Sequence, residues 1–203
     1  MLFGFFNFSG TKNYLKENRQ VYLLVSLIIF AGFVAGAFYS NSISSASYAS
    51  YSEVLRTYVS GAESDANLFP DTSSDIKNLI QIFFWSFFLF GKPFSGFFAF
   101  KSGFSLGFFI SFFVKVYSIK GFLTGMAILF DYVVFMAFPL IILTAWSFNV
   151  NTNITKAVFA SSKNETKRLL FPYFMIFLFS ILMTLIGNYI NVLLIPKIMN
   201  ALF

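Results

Sequence analysis

Two charged residues, Lys101 and Asp131, lie well inside apolar runs, and a charge in such a setting is either functional or paired. Lys101 is eight residues past Pro93, roughly 12 Å along a helix, and Asp131 is ten past Gly121, roughly 15 Å. If the two runs cross a ~30 Å hydrocarbon core in opposite directions, those depths nearly coincide on neighbouring helices. The chemistry open to such a pair is an ion or proton path. The structural alternative is a pin between two helices. A lone charge at that depth costs ~2.5–3.5 kcal/mol on insertion scales, which pairing partly relieves. The apolar runs contain no second acid and no histidine to continue a relay, so the pin is the favoured reading.

Other chemistry has little to work with. The chain has no cysteine and no histidine, which removes disulfides, thiolate nucleophiles, the usual zinc ligands and a histidine base. Of its eight carboxylates, all but Asp131 lie outside the apolar runs. No catalytic, metal or cofactor-binding residues are expected, and the chain is read as a non-enzyme. The formal charge of +6 does not point to nucleic acid, because the basic residues flank hydrophobic segments, where membrane orientation accounts for them.

The elements that position Lys101 and Asp131 follow from composition. Of 203 residues, 58% are hydrophobic and 11% charged, with 33 phenylalanines, too little polar surface to cover a water-soluble core of this size. The expectation is an all-α, polytopic transmembrane helix bundle of about five spans, with the lipid bilayer as its principal partner. Residues 1–20 form a basic N-terminal segment whose Phe-rich start is either interfacial or loose. Residues 21–39 make the first span. Ala35-Gly36-Ala37 resembles a signal-peptide cleavage site, but the long basic stretch and the apolar run reaching right up to that site favour a retained span.

Residues 40–77 form a serine-rich, then acidic, polar loop, within which Tyr51, Val54, Leu55 and Tyr58 have helical spacing. A membrane bundle of four further spans occupies 78–195. The second span is the shortest: Leu79 to Phe90 covers roughly 18 Å, so it either recruits Ile76 and lets Lys77 snorkel, or forms half of a re-entrant hairpin. Gly91-Lys92-Pro93 breaks the chain before a third span, Phe94 to Val114. Lys115 to Lys120 joins it tightly to a fourth, Gly121 to Phe148. A cytoplasmic loop is expected at 149–168, where Ser162-Lys163-Asn164-Glu165 is a capping box for the last helix. Residues 196–203 form an extracytoplasmic tail. The sequons at Asn153 and Asn164 are chance matches to a common motif.

With the N-terminus inside and five alternating spans, the inner side holds eight basic residues: Lys12, Lys16, Arg19, Lys92, Lys156, Lys163, Lys167 and Arg168. The outer side holds five: Arg56, Lys77, Lys115, Lys120 and Lys197. The positive-inside rule therefore places the N-terminus in the cytoplasm.

In lipid, helices associate by close backbone approach, which small residues four apart permit. Gly32 and Gly36, Gly103 and Gly107, and Gly121 and Gly125 each show that spacing, and the third span extends it from Ala99 to Ser111. These glycines are the expected helix-packing positions.

Gly91-Lys92-Pro93, the string Phe100-Lys101-Ser102-Gly103-Phe104-Ser105-Leu106-Gly107-Phe108, and Lys120-Gly121-Phe122 resemble the stage II sporulation protein M family. The likeness in layout runs over roughly residues 12–195, and in motif over 91–122. Ser102 departs from the pattern as an apparent insertion, and Phe130-Asp131 stands where a Leu-Pro-like step is expected. The resemblance implies a non-enzymatic scaffold in the bacterial cell membrane that anchors cell-wall hydrolases, an amidase/endopeptidase and a lytic transglycosylase, during engulfment of the forespore. The alternative from the residues themselves is a small transporter or permease subunit using Lys101 and Asp131.

Overall fold

The computed structural model describes residues 18–59, 72–160 and 164–202, and every regular element among them is helical. The Phe-rich start, Lys12, Lys16, the acidic residues Glu63, Asp65 and Asp71, and the first half of the capping box at Ser162-Lys163 lie outside the described residues. The helices are α1 (Arg19–Ser42), α2 (Ser45–Val59), α3 (Thr72–Trp85), α4 (Gly91–Tyr132), α5 (Phe138–Ala160) and α6 (Asn164–Leu202). A π-helical turn, Val133–Ala137, joins α4 to α5.

Three segments are long and apolar enough to cross a membrane: Arg19–Ser42, Gly91–Lys156 and Leu170–Ile190. The chain is therefore a membrane-embedded helical protein. A straight helix over the 66 residues of the second segment would be about 100 Å long, three times the thickness of a hydrocarbon core. It is folded back instead. Ser118 leaves the helix at φ 53° and ψ −124°. Beyond it Gly121 lies against the Phe113 carbonyl, and Gly125 lies against the Ile110 side chain. Residues 91–117 and 119–132 are thus the two antiparallel arms of α4, turning where the lysine-flanked join was expected.

The closest helix pairing is between α1 and the first arm of α4. Gly32 and Gly36 sit on the backbone of Phe100 and Phe104, while Gly103 and Gly107 sit on that of Ile29 and Phe33. Both numbers rise together along the contact, so the two helices run parallel. Each helix inserts its glycines against the other's carbonyls, where a Cβ would collide with main chain rather than with a movable side chain. Ser111 extends the seam by donating to the Ala37 carbonyl at 3.2 Å. At its end, Lys115 reaches the Ser40 carbonyl at 3.4 Å and lies 5.0 Å over the Tyr48 ring of α2. Tyr51 meets Phe108 and Phe112 edge-on, so α2 folds back over this arm. Within the polar segment expected at 40–77, where Tyr51 to Tyr58 has helical spacing, the chain forms α2 and begins it earlier, at Ser45.

α3 is antiparallel to the first arm of α4: Trp85 stacks on Phe94 with centroids 4.0 Å apart, and Asn78 reaches Ser102 at 3.5 Å. Its 14 residues cover about 21 Å, less than a hydrocarbon core. The helix lies earlier in the chain than the expected Leu79–Phe90 run and stops at Trp85, followed by turns through Phe90. Stopping there leaves carbonyls that need donors in an apolar setting. Asn151 supplies them, donating to the carbonyls of Ser86, at 3.3 Å, and Phe88. The hydroxyls of Ser147 and Tyr173 both point at the Ile82 carbonyl, at 3.5 and 3.4 Å.

α5 and α6 pair antiparallel, with Ser180 donating to the Pro139 carbonyl at 3.3 Å and Gly187 packed on Phe135. The expected loop at 149–168 is mostly helix, since α5 continues to Ala160 and α6 begins at Asn164. The side chains of Thr152, Asn153 and Thr155 bond carbonyls four residues back, so a polar stretch that reads as a loop stays in the helix. Near the α3–α4 turn, Val25, Ile29, Leu79, Ile82, Leu143 and Tyr173 share one buried cluster; Leu106, Phe112, Phe113 and Ile128 form a second towards Ser118.

Candidate functional site: a polar cavity inside the bundle

Between the two core clusters the packing opens into a cavity of about 320 Å³. α3 contributes Ser74, Asp75 and Asn78 from its N-terminal half, and the first arm of α4 contributes Ser102 and Ser105. The second arm adds Asp131 and Tyr132, and α6 adds Thr184 and Asn188. Phenylalanines 104, 108, 109 and 135 make much of the remaining wall.

Local sequence explains each placement. Asp75 and Asn78 are three apart and Thr184 and Asn188 four apart, so each pair shares one helix face. Asp131 and Tyr132 immediately precede the π-helical turn. Such turns carry an extra residue and displace side chains from ordinary helical register. Gly187 then gives room: a Cβ there would lie 2.5 Å from that of Phe135 and 3.8 Å from Asp131 Oδ2.

Part of the wall is deeply buried. Asp131 is 8% exposed and Thr184 2%. The Thr184 Oγ1, Tyr132 Oη and Asn188 Nδ2 atoms are buried with no hydrogen-bond partner among the described residues. The polar neighbours of the Tyr132 hydroxyl are Ser102 and the Asp75 carboxylate. Buried polar atoms are paired in the great majority of cases, so three in one cavity mark a place built for something other than packing.

Of the two charges singled out by sequence, Asp131 forms part of this wall, whereas Lys101 lies outside it. The Lys101 side chain is exposed, and its ammonium lies 3.5 Å from Asn78 Oδ1. Asn78 is thus the residue that touches Lys101 and also faces the space Asp131 faces. The packing glycines are elsewhere, at the α1 seam and the Ser118 turn.

Sequence reasoning missed Asp75, Asn78, Tyr132, Thr184 and Asn188. Asp75 reads as one more acid of a polar loop, because only the fold brings α3 beside Asp131. Thr184 and Asn188 carried a usable signal: polar residues four apart within an apolar run face a bundle interior. Compared with protein-family models, curated proteins and solved structures, the chain matches none.

Proposed function

We propose that the chain is a non-enzymatic scaffold of the bacterial cell membrane. It crosses about five times with a cytoplasmic N-terminus and anchors peptidoglycan-degrading partners during forespore engulfment. The observation that carries this reading is where the motif glycines sit. Gly91, Gly103, Gly107 and Gly121, which bear the resemblance to stage II sporulation protein M, each abut the backbone of another segment: Trp85, Ile29, Phe33 and Phe113. In this chain these glycines thus serve helix packing, a role that suits an anchoring scaffold. The antiparallel order of α3, the arms of α4 and α6, with α1 parallel to the first arm, is compatible with alternating crossings. α3, at 14 residues, is shorter than α1 and α6.

The partners implied are an amidase/endopeptidase and a lytic transglycosylase, with α2 and the acidic segment after it as the contact surface on the wall side. Tagged protein from sporulating cells is expected to co-purify with membrane-anchored wall hydrolases. Deletion within 44–70 is expected to weaken that recovery without affecting insertion. Recovery of the chain alone after gentle crosslinking overturns the reading.

A small transporter or permease subunit is the second reading, favoured by the burial of Asp131 in a polar cavity. It requires solute- or proton-dependent flux in liposomes that Asp131→Asn abolishes.

A further inference from the structure

We propose that the cavity between α3, the two arms of α4 and α6 is a binding site for a small organic ammonium ion. Two carboxylates from different helices, Asp75 and Asp131, line one space. Acidic residues alone would not define a site. The independent observation is Thr184, 2% exposed on the wall contributed by α6, whose hydroxyl oxygen has no hydrogen-bond partner among the described residues. The Tyr132 hydroxyl, beside Ser102 and Asp75, lines the same space. Both oxygens accept hydrogen bonds, and an ammonium group donates up to three, so one cation satisfies hydroxyl and carboxylate together.

The rest of the wall selects the kind of cation. Phe104, Phe108, Phe109 and Phe135 line the same space and bring no ligating atom. Aromatic faces attract an ammonium charge and accept the carbon skeleton attached to it. A bare metal ion is poorly matched, since no group of three acidic, histidine or cysteine side chains suited to holding one occurs among the described residues. The volume of about 320 Å³ is at the small end for ligand pockets and limits the skeleton to a few carbons. Lys101, outside the lining and 3.5 Å from Asn78 Oδ1, places one positive charge beside a wall residue. A monovalent ligand is therefore matched better than a divalent one.

The site stands whether the bundle anchors partners or carries a solute, so its test reads binding alone. The full chain in detergent micelles is melted with increasing ethylammonium chloride, against sodium chloride at equal ionic strength. A saturable rise in Tm is expected with ethylammonium and not with sodium. Asp131→Asn is expected to remove the rise. Thr184→Val, which keeps shape and loses the hydroxyl, is expected to weaken apparent affinity by about 3- to 10-fold. Should Asp131→Asn fail to fold, Thr184→Val and the salt comparison decide. No specific rise in the unmodified chain, an equal rise with sodium, or unchanged affinity in Thr184→Val overturns the proposal.

Discussion

The first arm of α4 has two faces that solve opposite problems. On one, Gly103 and Gly107 meet the carbonyls of Ile29 and Phe33, and no side chain intervenes. On the other, Ser102 faces a cavity whose far walls carry buried oxygens without partners. The seam gains its stability from dispersion at close approach, the main attraction left when both helices are already in an apolar solvent. The cavity forgoes that gain. It spends packing on room and polarity, and the glycine there, Gly187, clears space for Phe135 and Asp131 rather than admitting another backbone. Glycine in this protein therefore has two uses, and mutation should separate them.

The largest effect is expected at the seam. A Cβ at Gly107 already collides with the Phe33 carbonyl, and the main chain of a helix cannot move aside alone. Gly107→Leu must separate α1 from α4 along several turns. A loss of about 3 kcal/mol or more is expected in SDS-driven unfolding from mixed micelles, at the top of the overpacking range. A change within 0.5 kcal/mol would mean that the α1–α4 contact is not the one described.

The seam was legible in the sequence and the cavity was not, for a physical reason. Small residues four apart act within one helix, so a linear reading finds Gly32, Gly36, Gly103 and Gly107 without knowing their partners. The join near Lys115 to Lys120 was likewise local, although nothing in the residue types marks Ser118 as the position of positive φ. The cavity is assembled by residues from four segments, and its distinguishing feature is a missing partner, which no single segment displays. Asp131 was conspicuous for its charge. Asp75 was hidden because a 14-residue helix with a polar first turn looks like the end of a loop. The helix through 149–160 was missed because its threonines and asparagine bond their own backbone, a state composition alone does not distinguish from a turn.

On the cavity side the sign of the effect should reverse. Thr184→Val replaces a buried hydroxyl that lacks a partner with a methyl group of similar shape. Removing an unsatisfied polar group is expected to stabilise the ligand-free protein by about 1 kcal/mol in the same SDS titration. The same substitution should weaken ammonium binding, as sites that trade stability for function do. Destabilisation by a similar amount would show that the hydroxyl is satisfied in the folded protein, leaving the comparison of the two faces without its basis.

Gly125→Ala tests the seam logic at the Ser118 turn. Its neighbour is the Ile110 side chain, with Cγ2 3.0 Å from an added Cβ, rather than a carbonyl. A rotamer change can absorb that contact, so the cost is expected to be about 1 kcal/mol or less, well under that of Gly107→Leu. Equal costs at the two positions would mean that backbone contact is not what makes the α1 seam unforgiving.

The smallest effect is expected at Ser118 itself. Its φ of 53° with ψ of −124° suits glycine and strains an L side chain. Ser118→Gly removes that strain but gives the unfolded chain more freedom, and the two contributions partly offset. A net gain of about 0.5–1 kcal/mol is expected in SDS unfolding, because the native conformation is one that glycine adopts without cost. Ser118→Val should move the other way by more, since a β-branched side chain at positive φ adds its own clash. If both variants lie within error of the unmodified chain, the turn does not hold this conformation. The antiparallel packing of Gly121 on Phe113 would then need another cause, because the position of that reversal decides whether Asp131 lies level with Ser102 and Asn78 at all.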